Sequence, residues 1–168
     1  MDTQPVPTNT TDDFATLVQE LNHRIWEVRR DACEEMALRG DKRAVPHLVR
    51  LLKDGVGGVR FAAADSLGKL GDKSVIPNLI KQLGNPHFGA FGPVIEALAN
   101  LKSTEALPHF IRFLSDPDPR VRGLAANALM VITRQLIVFK AKGPEEERAA
   151  SIQQWQNWWE KNKQQFGQ

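Results

Sequence analysis

The sequence predicts an all-α protein, a right-handed α-solenoid of stacked helical hairpins with a capping helix at each end. Three observations carry that prediction. Val28-Arg29, Val59-Arg60 and Val121-Arg122 are separated by 31 residues or by twice 31. Pro46, Pro77 and Pro108 repeat at the same interval, and so do the apolar sets Val45/Ile76/Leu107, Leu48/Leu79/Phe110, Val49/Ile80/Ile111 and Leu52/Leu83/Leu114. Between these marks apolar residues recur with the period of a helix. Self-similarity at this period is the signature of units that bury their apolar faces only against their neighbours.

Taken in order, residues 1–11 hold two Pro, several Thr and one acid, Asp2, and read as a flexible tail. Phe14, Leu17, Val18 and Leu21 lie one period upstream of a second-helix apolar stripe, so residues 12–23 predict a capping half-repeat. Full repeats follow at 28–53, 59–83 and 90–114. In each, a first helix is expected near 28–39, 59–70 and 90–101, with a counterpart at 121–133. Val59, Ala63, Ala64, Leu67 and Leu70 form its apolar face, and the small Ala residues permit close helix approach. Asp41, Asp72 and Ser103 stand where an N-cap oxygen could hold free N–H groups. The Pro residues then fall near the start of the second helix, where a missing N–H costs little. Asp54-Gly55, Asn85-Pro86 and Asp116-Pro117 punctuate the joins.

The third unit departs from the pattern, with Ala90-Phe91-Gly92-Pro93 in place of Val-Arg and two following residues. Residues 121–163 predict a modified C-terminal repeat within a single domain spanning 12–166. There Gly143-Pro144 opens a new helix with Glu145, Glu146 and Glu147 in its first turn and Lys161 and Lys163 near its end, as the helix dipole favours. Ile152, Trp155 and Trp159 share one face of it. The run Leu136-Ile137-Val138-Phe139 is expected to continue the last repeat and pack under Trp155 and Trp159.

Composition limits the function classes. The chain has 168 residues, 42% hydrophobic and 25% charged, with a formal charge of +2 spread over both signs. No polybasic block suggests nucleic acid or an anionic membrane. The single cysteine, Cys33, excludes an internal disulfide and a multi-cysteine zinc site. The N-terminus lacks a basic segment followed by an apolar core, and no stretch reaches the roughly 20 apolar residues of a membrane span. A cytoplasmic protein is the expectation.

The run Val59-Arg60-Phe61-Ala62-Ala63-Ala64-Asp65-Ser66-Leu67-Gly68-Lys69-Leu70-Gly71-Asp72 resembles the short HEAT-like repeats first described in phycobilin lyases. The resemblance covers about residues 12–133, and the Trp155-x-x-Trp158-Trp159 ending is similar to a terminal helix of some of these proteins. It implies an α-α superhelix whose variable face follows the Val-Arg positions on the first helix. For activity it is broad, because such repeats occur in lyase subunits, phycobilisome-associated factors, nucleic-acid enzymes and plain adaptors.

Carried along by register, that face holds one column of Glu34, Asp65, Glu96 and Asn127. Neighbouring columns hold Arg30, Phe61, Gly92 and Gly123, then Lys69 and Asn100, with Trp26, Phe88 and Phe91 at the helix starts. Acids beside aromatic anchors suit a protein interface and oppose a phosphate backbone. The bland alternatives are a solvated helix stripe, and aromatics that pack between units. Arg29, Arg60 and Arg122 are expected to reach carboxylates at the joins, such as Asp54, Asp116 or Asp118. Cys33 occupies a slot of small buried residues and is expected to be inert. His47 and His109 share a column two units apart, too far to bind one ion. There is no His-Glu dipeptide, no phosphate-cradling loop and no nucleophile-base set. The expectation is a non-catalytic adaptor for another protein, without cofactor. The alternative is an accessory factor of phycobiliprotein or tetrapyrrole handling, akin to a bilin lyase subunit. That alternative needs an apolar concave pocket lined by Trp26, Phe61, Phe88 or Phe91.

Overall fold

A computed structural model describes residues 10–85 and 89–166, with side chains from residue 13 onward. Among them are nine α-helices: α1 (Thr10–Glu20), α2 (Trp26–Arg39), α3 (Val45–Leu51), α4 (Gly57–Leu70), α5 (Ile76–Leu83), α6 (Phe91–Asn100), α7 (Leu107–Phe113), α8 (Pro119–Thr133) and α9 (Glu145–Phe166). The described residues contain no strand. The predicted tail at 1–11 lies outside them save for Thr10 and Thr11, which already belong to α1.

Helix ends follow local chemistry. Gly40 and Gly71 close α2 and α4 in the left-handed conformation, at φ 66° and 68°, which costs glycine nothing. In the third unit Lys102 takes that slot at φ 54°. The Asp41 and Asp72 carboxylates accept from the N–H groups of Arg43 and Ser74, opening a single 3-10 turn that leads into α3 and α5. Ser103 does not cap in this way; its hydroxyl turns to the Glu105 carboxylate at 3.4 Å.

The first helices α2, α4, α6 and α8 stack directly on one another, while α3, α5 and α7 pack on the first helix that follows each and approach one another far less. Side-chain size explains the asymmetry. Ala32, Ala63, Ala64, Ala97, Ala125 and Ala126, all on first helices, are buried. At Gly68 a Cβ would lie 2.8 Å from the Ala97 Cα, so only glycine permits that crossing. The Ser66 hydroxyl, fully buried, donates to the Cys33 carbonyl at 2.9 Å and ties α4 to α2. The second helices instead present Leu48, Leu79 and Phe110 to the core. With one layer spaced more tightly than the other, the stack bends with the first helices on the inside. Among helices adjacent in sequence, those that pack together are the pairs across the joins that precede Val-Arg, α3 with α4, α5 with α6 and α7 with α8, and α1 packs on α2 in the same way.

The C-terminus corrects one expectation. Helix α9 packs on α7 and buries Trp155 completely. The run 136–139, however, does not pack as a continuous core segment. Arg134 ends α8 in the left-handed conformation at φ 59°, and a stretch with neither helix nor strand follows, in which exposure alternates from Leu136 to Phe139. Ile137 and Phe139 turn inward, whereas Leu136 and Val138 are 90% and 73% exposed.

Candidate partner-binding face

The joins set the ends of the first helices, and the arginine column holds the joins. In all three units the guanidinium Nη1 donates to the carbonyls six and five residues earlier. Arg29 reaches His23 and Arg24 at 2.7 and 3.3 Å, Arg60 reaches Asp54 and Gly55 at 2.8 and 3.2 Å, and Arg122 reaches Asp116 and Pro117 at 2.8 and 3.0 Å. Arg29 also forms the expected ion pair with Asp54, two parallel bonds of 2.8 and 2.9 Å across to the next unit. Burial alone would raise the Asp54 carboxyl; Arg29 and the Val56 N–H outweigh it and hold it below its ordinary range. Arg122 departs from expectation: its remaining N–H groups go to the Ala141 carbonyl rather than to Asp116 or Asp118 carboxylates. The reason is positional, since the chain after α8 brings a carbonyl where the first unit brings the Asp54 carboxylate.

On the inner layer, Glu34, Glu96 and Asn127 are exposed and Asp65 is half-buried, all on one face. The column is less acidic than its letters suggest. Lys69 pairs with Asp65 at 2.7 Å, and the Lys69 ammonium is held above its ordinary range by Asp65 first and by the field of Glu34 as well. Arg30 pairs with Asp31 at 2.7 Å and stacks 5.3 Å over the Trp26 ring. A solvated, mixed-charge stripe results, with Gly123 and Asn100 continuing it.

The aromatics divide. Trp26 is half-buried and lies across the join, where a Cβ on Gly58 would come within 3.0 Å of its ring. Phe88 lies outside the described residues. Phe91 fills the slot of the missing arginine and packs on Phe113 at 5.4 Å between centroids. Phe61 is 53% exposed. Phe61 and Phe91 both line a hollow of about 400 Å³, together with Gly92, Pro93, Val121, Leu124, Asp118 and Arg120. The missing side chain at Gly92 keeps it open, because a Cβ there would stand 3.4 Å from Leu124 Cδ1. Trp26 belongs to a different part of the face. Two apolar side chains were missed by the sequence reasoning: Leu38 and Val131, 80% and 51% exposed, flank Lys69 and Asn100 in one register column. Column position was the available signal.

Elsewhere the chemistry is quiet. Burial pushes the Cys33 thiol up to about 12, as an inert buried cysteine requires. The His47 ring packs edge-on against Phe14 at 6.1 Å, and burial lowers the His109 pKa. Among the described residues no three His, Cys, Asp or Glu side chains gather as metal ligands, and no helix is long and apolar enough to cross a membrane.

Comparison with known proteins fits this architecture. A family model of HEAT repeats matches residues 14–89 and 93–152. No curated protein matches. A chain in the solved complex of CpcE and CpcF of phycocyanin lyase from Nostoc sp. PCC7120 is 31% identical and superposes with a TM-score of 0.67, over 74% of this chain and 54% of that one. This chain thus spans about half the length of that relative.

Proposed function

The chain belongs to the HEAT-repeat family, and on that premise we propose that it is a non-catalytic accessory factor of phycobiliprotein handling, which grips a partner protein on its concave first-helix face. The observation that carries the proposal is the 31% identity over 74% of the chain to a protein of the phycocyanin lyase complex. It outweighs the plainer adaptor reading because identity at that level points beyond the fold. The adaptor idea survives within it, since the grip on a partner is the mechanism. Docking would centre on Phe61, whose exposed ring is the kind of anchor that dominates interface energetics. Glu34, Glu96 and Asn127 would fix register around it, with Arg30, Asp65 and Lys69 already engaged in local pairs. The hollow lined by Phe61 and Phe91 falls in the ~300–1,000 Å³ range of small-molecule sites. Part of an open-chain tetrapyrrole carried by the partner could enter it.

Purified phycocyanin, its pigment-free subunits and free bilin would test this by gel filtration and visible absorbance. Complex formation with the subunits, lost in Phe61→Glu and in the triple Glu34→Lys, Asp65→Lys, Glu96→Lys variant, supports the proposal. A shift of the bilin spectrum on mixing would add a pigment contact. Wild-type protein that binds neither subunits nor pigment overturns it.

A further inference from the structure

The chain between α8 and α9 carries backbone that the fold leaves unused. From Gln135 to Lys140 it makes no helix, strand, turn or bend. Exposure alternates along it: Leu136, Val138 and Lys140 are exposed, whereas Ile137 and Phe139 are half-buried against the core. A period of two is that of extended chain. The segment is also tied down. The Ser151 hydroxyl donates to the Val138 carbonyl at 2.9 Å, and Lys140 pairs with Glu147 at 2.9 Å.

Its hydrogen bonding is incomplete in a patterned way. The Val138 carbonyl is taken by Ser151, and the Lys140 carbonyl accepts from the Gly143 N–H. By contrast, the N–H and C=O groups of both Ile137 and Phe139 have no partner among the described residues. In an antiparallel pair every second residue exchanges both of its backbone bonds with the residue opposite. Ile137 and Phe139 thus make one free edge, and the occupied carbonyls of Val138 and Lys140 belong to the other side. Each unpaired group must find water or another chain. A β-forming run such as Leu-Ile-Val-Phe with a free edge is a template for strand addition.

We propose that residues 135–140 are a docking edge on which an extended, acid-flanked segment of a partner protein adds as an antiparallel β-strand, bonded at Ile137 and Phe139. The charges choose the occupant. Arg134 and Lys140, both exposed, bracket the run, and Arg134 has no ion-pair partner among the described residues. A second copy of the chain fits this edge poorly. The register that sets Leu136 against Val138 also sets Arg134 against Lys140, and like charges directly opposite destabilise a pair. The other registers that use Ile137 and Phe139 set Lys140 against Leu136 or Val138. A segment with apolar residues opposite Leu136 and Val138 and an acid at each end satisfies all four positions. The proposal is independent of the function assigned to the concave face.

The test titrates the whole isotope-labelled protein with the end-blocked peptide Glu-Thr-Val-Thr-Ile-Thr-Glu, followed by amide NMR. Antiparallel pairing sets its first Glu opposite Lys140, its Val opposite Val138, its Ile opposite Leu136 and its last Glu opposite Arg134. Binding should saturate, with the largest shifts at the Ile137 and Phe139 amides. Methylating the backbone nitrogens of the first two Thr, which face those residues, should abolish binding. Methylating those of Val and Ile, which face away, should leave it unchanged. Val138→Glu should weaken binding about fivefold; the side chain is 73% exposed, so its circular dichroism melt should match that of the wild type. Phe61→Glu should bind the peptide like the wild type, which keeps this test apart from that of the concave face. No saturable binding, equal effects of the two methylation patterns, shifts centred elsewhere, or wild-type affinity in Val138→Glu would each overturn the proposal. So would a dimer of the free protein that Val138→Glu dissolves, which would give the edge to a second copy.

Discussion

Gly68→Ala is expected to destabilise the protein even though it replaces the second-worst helix former with the best. In an exposed helix interior the exchange would stabilise by ~1 kcal/mol. Here the new methyl would lie 2.8 Å from both the Cα and the Cβ of Ala97. Non-bonded carbons settle at ~3.5–4.0 Å, so α4 and α6 must part by about 1 Å. The obstacle is backbone, and no rotamer change relieves it. Overpacking of this kind costs ~1–3 kcal/mol, which leaves a net loss of about 1 kcal/mol after the propensity gain. For a chain of this size that is a Tm lower by about 2–4 °C. Urea denaturation followed by far-UV circular dichroism measures it. Gly57→Ala is the control, since its Cβ would meet only the end of the Arg60 side chain at 3.5 Å, and it should be neutral or stabilising. Adding Ala97→Gly should recover only part of the loss, because the contact with the Ala97 Cα remains. If Gly68→Ala proves as stable as the wild type, the first helices are not in backbone contact, and the account of which layer lies inside the bend fails with it.

Asp54→Ala removes both bonds from Arg29 and the one from the Val56 N–H, in a pair whose side chains are only 15% and 9% exposed. The expected loss is about 3 kcal/mol, and a double-mutant cycle with Arg29→Met should assign most of it to the pair. Because the folded carboxyl lies below its ordinary value, its contribution is complete well above the unfolded pKa of ~3.9 and fades as pH falls through and below it. The advantage of wild type over Asp54→Asn in urea melts should therefore shrink below about pH 4. Lys102→Gly should raise stability by about 0.5–1 kcal/mol in thermal melts, since Lys102 holds a left-handed conformation at φ 54°. Trp155→Phe should stay within about 1 kcal/mol of wild type, because the fully buried indole N–H has no acceptor among the described residues. Trp155→Ala should lose ~3–5 kcal/mol to the cavity.

Where a structural role repeats with the period, the letters alone locate it. Asp41 and Asp72, the three prolines and the small residues from Ala32 to Ala126 all do what their columns predict, because each sits in nearly the same surroundings in every unit. Ser103 shows the limit: it shares the column of Asp41 and Asp72, but its hydroxyl is drawn to a neighbouring carboxylate, an event outside any column. Leu136 and Val138 show another. An apolar run with one partner face looks the same in letters as a run buried on both sides, and only the left-handed turn at Arg134 decides between them.

The same contrast governs the candidate sites. Register placed Glu34, Asp65, Glu96 and Asn127 on one face, since a column is a property of the backbone stack. It could not show that Lys69 would swing four residues back onto Asp65, or that Trp26 would lie down over Gly58, because those are choices of individual side chains. Exposure is likewise a difference between units. Phe61 stays open because the following unit offers glycine at position 92, and Phe91 closes onto Phe113 because no arginine contact holds the third join. In a solenoid, the columns carry the fold, and the places where neighbouring columns break step are where the chain can differ from its relatives in what it binds.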